Sequence, residues 1–255
     1  MAESETRRQI LAPYVKRVWS VDGHDQQNDV ENFQFYADGY PGLMFQCCDK
    51  TLVANGTRPL PTLTLYGQTI SPIVLSTVGR HQIVAVCFYP DVIQKVFGIS
   101  AKELTDTCID MSLFLYAKKI SLVDRLLDAP AGQRISIMED FVIDLISSSN
   151  ISIDEQIRCA ANELARTHGG TRIVDIQKSL NISERTLHRR FELNIGVVPK
   201  VFANICRFRS AFDALETGRF EKLSDLAFEF GYADQSHFIR AFKSFTGQTP
   251  RELRR

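Results

Sequence analysis

The chain of 255 residues has no apolar stretch near the roughly 20 residues a membrane span requires, and its start, Met1 to Gln9, is polar and charged rather than signal-like. A cytoplasmic protein with no membrane partner is expected. The six cysteines, Cys47, Cys48, Cys87, Cys108, Cys159 and Cys206, form no C-x-x-C pair, and no His stands at zinc-ligand spacing from them. Neither a metal finger nor a dithiol redox motif is supported, and in a reducing compartment the thiols read as small hydrophobes. Thiol sensing is left to whichever of them are exposed. His24 and His81 are isolated and there is no His-x-His pair, which argues against a metal-dependent enzyme. A paired-carboxylate site, a nucleophile elbow and a phosphate loop are also missing, so no catalytic residue, no metal and no cofactor are expected.

An excess of either charge is lacking too, with 30 Lys and Arg against 30 Asp and Glu. The balance hides an asymmetry: residues 1–150 carry 13 basic and 17 acidic side chains, residues 151–255 carry 17 and 13. Phosphate binding depends on where cations sit rather than on the total. Arg185, Arg189 and Arg190 cluster in one short segment, and Arg240 with Lys243 in another.

What is present is an internal repeat. Asp175, Ile176, Asn181 and Ile182 return fifty residues later as Asp225, Leu226, Gly231 and Tyr232; Leu187, Arg189, Phe191, Gly196 and Pro199 return fifty-one later as Phe238, Arg240, Phe242, Gly247 and Pro250. Such a period signals a duplicated supersecondary unit. Each copy reads as helix, tight turn, second helix and Gly-x-x-Pro exit, the order of parts in a helix-turn-helix. Asn181 and Gly231 suit a left-handed turn residue, and Ser183 and Asp234 stand where a side-chain oxygen caps the following helix. With Leu187 and Phe191, or Phe238, Phe242 and Phe245, facing inward, the outward residues are Arg185, His188 and Arg189 in one copy and Gln235, His237 and Arg240 in the other. Arg matches the O6 and N7 acceptors of guanine, and Gln the N6 and N7 of adenine; a solvated helix face is the bland alternative for each. Lys200, Arg209, Lys243, Thr249 and Arg251 are candidate phosphate contacts. A long helix from about Val198 to Thr217, with Phe202, Ile205, Phe208, Phe212 and Leu215 as its apolar stripe, joins the copies.

The first hundred residues alternate as strands do. Leu63 to Ile70, Ile73 to Val78 and Ile83 to Phe88 are β-branched or aromatic, with turn signals at Gly56, Gly67, Ser71-Pro72 and Gly79, which suggests an antiparallel barrel or sandwich. From Ile109 to Ser147 the period becomes helical, with Leu113, Ile120, Val123, Leu126 and Leu127 spaced for one buried face, a break at Ala129–Gly132, and then Met138, Phe141, Val142 and Leu145. Two readings of these helices stand side by side: they cover the sheet, or they also form a dimer surface. Ser147 to Asn150 is the linker candidate, giving domains at 1–147 and 153–255 with residues 148–152 between.

The segment from about Ile153 resembles the DNA-binding domain of the AraC/XylS family of bacterial transcription regulators, carried above all by Leu223-Ser-Asp-Leu-Ala-Phe-Glu-Phe-Gly-Tyr232 followed by Gln235, His237, Phe242, Gly247 and Pro250. The first copy departs from that pattern at Gln177, where Ala is usual, as at Ala227. The resemblance implies base contacts from the six outward residues named above, activation of transcription and contact with RNA polymerase. Leu11 to Val15 with Trp19, Asp38 to Phe45, and Val86 to Pro90 with Phe97-Gly98 resemble an effector or dimerisation domain similar to a cupin-like barrel with appended helices. The expected fold is thus α+β: a cupin-like antiparallel barrel, then an all-α domain with two helix-turn-helix units on a long helix. The expected partners are double-stranded DNA, a small organic effector, RNA polymerase and a second copy in a homodimer. Trp19, Phe33, Phe35, Tyr36, Phe45 and Tyr66 are the candidate effector-pocket residues. Two alternatives remain: a ligand-free N-terminal dimerisation or protein-interaction module, and, more remotely, an enzyme with an incidental helical tail.

Overall fold

The computed structural model describes residues 2–23, 30–218 and 220–253; His24 lies outside them. A first helix, α1 (Ala2–Leu11), leads into β1 (Val15–Gly23), β2 (Val30–Phe35), β3 (Gly42–Cys48), β4 (Val53–Ala54), β5 (Arg58–Pro59), β6 (Leu63–Tyr66), β7 (Ile73–Val78) and β8 (His81–Phe88). There follow α2 (Ile93–Phe97), a 3-10 turn at Ala101–Leu104, β9 (Cys108–Asp110), α3 (Leu115–Lys119), α4 (Leu122–Asp128) and α5 (Ala131–Ser148).

The strands form two antiparallel sheets, ordered β1-β8-β3-β6-β9 and β2-β7-β4-β5. The expected sheet domain is therefore present, but as two facing layers and not as a closed barrel. At one edge the reason is local: β5 is two residues long and includes Pro59, which has no N–H to extend a ladder.

Strand alternation separates two environments in the larger sheet. Leu43, Phe45, Leu63, Leu65, Val84 and Val86 share the face packed on Met138, Phe141, Val142 and Leu145 of α5. The other face meets the second sheet, where Met44, Ile83 and Ala85 pack with Leu52, Ala54, Leu60 and Leu75. The α5 stripe thus covers a sheet face within the subunit. The preceding segment departs from its sequence reading in three places. Ile109 pairs with Leu65 in β9, and Leu113 and Leu127 are exposed rather than buried. A helical period cannot tell a sheet edge from the start of a helix over so short a stretch.

Seven helices complete the described residues: α6 (Glu155–Arg166), α7 (Ile173–Leu180), α8 (Glu184–Ile195), α9 (Pro199–Glu216), α10 (Leu223–Glu229), α11 (Gln235–Thr246) and α12 (Pro250–Leu253). Eighteen residues make α9 about 27 Å long. Its expected stripe, Phe202, Ile205, Phe208, Phe212 and Leu215, is buried. Phe208 stacks on Phe245 at 4.8 Å and Phe212 on Phe242 at 6.0 Å, so the second helix pair is anchored to α9 through aromatic contacts. Among the described helices none is long and apolar enough to cross a membrane.

Ser147 and Ser148 belong to the last turn of α5. Ser149 then exchanges two hydrogen bonds with Lys95: Lys95 Nζ donates to its carbonyl at 2.6 Å and its hydroxyl donates to the Lys95 carbonyl at 2.5 Å. The polar run read as a linker is pinned to the sheet half.

Candidate DNA interface and ligand cavity

Both helix-turn-helix units have the local chemistry that the repeat implies. After α7, Asn181 takes the left-handed conformation with φ 51°, and Ser183 accepts a hydrogen bond from the Thr186 N–H at 3.2 Å at the start of α8. After α10, Gly231 has φ 71° and Asp234 accepts from the His237 N–H at 2.7 Å. Losing either cap would cost about 1 kcal/mol. Leu187, Phe191, Phe238 and Phe242 are fully buried, which fixes the rotation of α8 and α11 about their axes.

That rotation leaves Arg185, Arg189, His237 and Arg240 exposed and His188 and Gln235 half-buried. His188 Nε2 stands 4.0 Å from Glu184 Oε1 on the same helix. Arg190, the third arginine of the cluster, turns the other way. It donates through Nε to Asp154 at 2.7 Å, through Nη2 to the same carboxylate, and through Nη1 to Gln156 at 2.6 Å. Burial alone would raise the Asp154 carboxyl, but the Arg190 and Ile157 hydrogen bonds outweigh it and hold it below the usual range.

The phosphate candidates divide. Lys200, Lys243 and Arg251 are exposed. Arg209 pairs with Asp213 at 2.7 Å and lies over the Phe212 ring, close enough to Asp38 of the sheet half to influence its charge. It stands near the junction between the halves, with about a third of its side chain (35%) exposed. Thr249 caps α12 in a reciprocal box with Glu252: the Thr249 N–H donates to Oε2 at 2.6 Å, and its hydroxyl accepts from the Glu252 N–H at 3.4 Å.

Between the two sheets lies a cavity of about 110 Å³. Four of the six expected pocket residues line it, namely Trp19, Phe35, Tyr36 and Tyr66. Phe45 does not, because it is one residue out of phase with Met44 and packs on the helical side of the sheet. Phe33 points to the inner face but beyond the cavity, edge-on to His81 at 5.5 Å. Sequence reading missed Arg17, Asp38, Met44 and Cys87, all of which contribute wall. Strand alternation was the available signal for Arg17, two residues from Trp19 on β1. Arg17 donates to Asp38 at 2.9 Å, and Asp38 also accepts from the Tyr40 N–H at 2.9 Å. Burial nevertheless pushes the Asp38 carboxyl above its ordinary range.

Two family patterns match the chain: a helix-turn-helix domain over residues 176–255 and a domain of unknown function (DUF6597) over residues 8–110. The HTH-type transcriptional activator RhaS of Enterobacter sp. (strain 638) is 32% identical over 159 residues, 62% of this chain and 46% of that protein. RhaS of Escherichia fergusonii is 28% identical over 145 residues, 52% of each. Residues 176–255 thus match a helix-turn-helix domain, and the chain is similar to these transcriptional activators. It spans about half the length of these two relatives. Over longer range, 95% of it overlays 97% of ToxT from Vibrio cholerae O395 with a TM-score of 0.46 and 16% identity.

The cavity and the helical half share a wall. Phe35, Tyr36, Asp38 and Tyr40 line the cavity, yet Ala37 between them is fully buried in the core formed around α9. Tyr36 meets the Phe212 ring at 5.2 Å, and a Cβ placed on Gly39 would stand 3.6 Å from both Phe202 and Ile205. A second junction lies against the end of α8. Arg158 Nε contacts the buried Asp91 carboxylate at 2.6 Å, Lys102 pairs with Glu192 at 3.1 Å, and Thr105 Oγ1 donates to the Gly196 carbonyl at 2.6 Å.

Of the six cysteines, Cys159 is the exposed one. Burial raises Cys48 to about 11 and Cys206 to about 12, which leaves these two with little thiolate for redox chemistry.

Proposed function

We propose that the chain is a sequence-specific DNA-binding regulator that activates transcription, and that a small organic effector in the inter-sheet cavity changes how the two reading helices are presented. The observation that carries the first part is the pair of capped, rotationally fixed helices α8 and α11 with Arg185, Arg189, His237 and Arg240 turned outward. Arg185, His188 and Arg189 read one major groove, and Gln235, His237 and Arg240 the next, about one turn or ~34 Å along. Lys200, Lys243 and Arg251 neutralise phosphates. The names of the RhaS relatives support activation, and contact with RNA polymerase and a homodimeric state belong to the same reading.

The second part is supported by the Phe35–Tyr40 segment, which presents side chains to the cavity and to α9. A ligand that displaces Tyr36 or Asp38 must alter the packing on Phe212 or the charge facing Arg209. Because α9 joins both readers, a shift there changes their separation. Domains at 1–147 and 153–255 fit this division, with DNA reading in the second and effector recognition in the first.

Binding selection from a random duplex library at near-physiological salt tests the reading. Enrichment of two boxes about one helical turn apart is expected; enrichment of single, unpaired boxes would refute the two-reader geometry.

A further inference from the structure

Register places two rows of side chains on the cavity face of the larger sheet. Arg17 and Gly42 both pair with Cys87, and Gly42 pairs with Tyr66; one row over, Trp19 and Met44 pair with Ala85, and Met44 with Thr64. Gly42 is what admits the Tyr66 ring, since a Cβ there would stand 2.3 Å from its hydroxyl oxygen. The ring therefore lies across β3 and reaches Cys87, with Tyr66 Oη 3.6 Å from Cys87 Sγ. Trp19 Nε1–H donates to the same sulfur at 3.3 Å. The Trp19 indole N–H, the Tyr66 hydroxyl and the Arg17 side chain, from two strands, thus converge on one thiol, which is a weak acceptor and itself able to donate to the Tyr66 oxygen. Desolvation holds the Tyr66 phenol well above its ordinary range, so it keeps its proton.

The remaining wall discriminates by charge and size. Arg17 and Asp38 already neutralise each other, and Arg58 and Asp106 add one charge of each sign. A ligand carboxylate would meet Asp38 and an ammonium would meet Arg17, each inside an otherwise apolar space made by Met44, Leu60, Ile73 and Leu75. A volume of about 110 Å³ compares with engineered cavities of about 150 Å³ that take benzene.

We propose that the cavity receives an uncharged, compact apolar molecule of about one ring bearing a carbonyl oxygen, and that Trp19 Nε1–H and Tyr66 Oη–H are its donors, released from Cys87. The inference rests on the effector role given to the cavity above. It names the class of effector and makes Cys87 an occupant of the oxygen's place in the free protein.

Trp19 is the single tryptophan of the chain, so its indole N–H gives one resolved signal in a nitrogen-15 spectrum of the whole 255-residue chain. Titration with cyclohexanone should move that signal downfield and saturate, as an oxygen acceptor replaces sulfur. Cyclohexanecarboxylate and cyclohexylammonium should bind more weakly. Tyr66→Phe should weaken cyclohexanone binding about three- to tenfold, the worth of one neutral hydrogen bond. Cys87→Ser should weaken it as well, because a hydroxyl oxygen competes better than a thiol for both donors. Absence of saturation by cyclohexanone, tighter binding of either charged analogue, or unchanged affinity in both variants would overturn the assignment. DNA binding is measured on the same preparation: a cyclohexanone response without DNA recognition refutes the regulator and leaves the ligand class standing, and DNA recognition without the response refutes the ligand class alone.

Discussion

Replacing Arg158 by Ala should destabilise the protein by about 3 kcal/mol. Asp91 keeps 6% of its side-chain exposure and Arg158 keeps 22%, with 2.6 Å between Nε and Oδ2. Removing one partner of a buried pair leaves an uncompensated charge, at a cost of about 3–5 kcal/mol. The partial exposure of Arg158 lets water into the vacated space and puts the loss at the low end of that range. A solvated pair would lose about 1 kcal/mol or less. At about 2–4 °C per kcal/mol for a chain of this size, the midpoint of thermal unfolding should fall by about 6–12 °C in calorimetry. The pair also carries its own penalty, since the buried Arg158 Nη2 has no hydrogen-bond partner among the described residues. Adding Asp91→Asn to the Arg158 variant should therefore recover at least about 1 kcal/mol, a coupling that a double-mutant cycle reads directly. Because the two residues join the sheet half to α6, the single variant should also broaden or split the transition. A loss under about 1 kcal/mol, or full additivity in the cycle, would show that the contact is solvated and does not hold the halves together.

Three further expectations concern the readers, the cavity and acid stability. Arg189→Ala and Arg240→Ala should each relax preference at particular base pairs by about 1–3 kcal/mol, whereas Lys200→Ala should weaken all sequences evenly and reduce the salt dependence; uniform loss from all three would remove the base-contact assignment. Gly42→Ala should expel the Tyr66 ring from Cys87 and cost about 1–3 kcal/mol through overpacking, visible in urea unfolding and in the Trp19 indole shift; an unchanged indole signal would contradict the register argument. Asp154 is held below its ordinary pKa of 3.8, so its contribution is fully present above that value and is lost as the pH falls through the folded-state value. The stability difference between wild type and Asp154→Asn should accordingly stay flat from neutral pH down to about 4 and shrink below it; a decline already between pH 7 and 5 would refute the assignment.

The residues that determined their own structure are those whose constraint is local. Asn181 and Gly231 mark turns because a left-handed φ suits few side chains, Ser183 and Asp234 mark helix starts because their oxygens satisfy free N–H groups, and the Phe202 to Leu215 stripe marks one face of a helix by its spacing. The outward residues of α8 and α11 followed from that spacing and the repeat. Strand-rich composition announced antiparallel sheets in the same way, and alternation within β3 puts Met44 and Phe45 on opposite faces without saying which of them meets the cavity. Tertiary structure alone decided whatever depended on partners distant in sequence. It committed Arg190 to Asp154, placed Arg209 opposite Asp38, left the sheets as two open layers, exposed Leu113 and Leu127, and set Ala37 in the core around α9. The physical reason is that the periodicity of an amphipathic segment specifies which side is buried, while the identity of the surface that buries it is fixed only when the whole chain has packed.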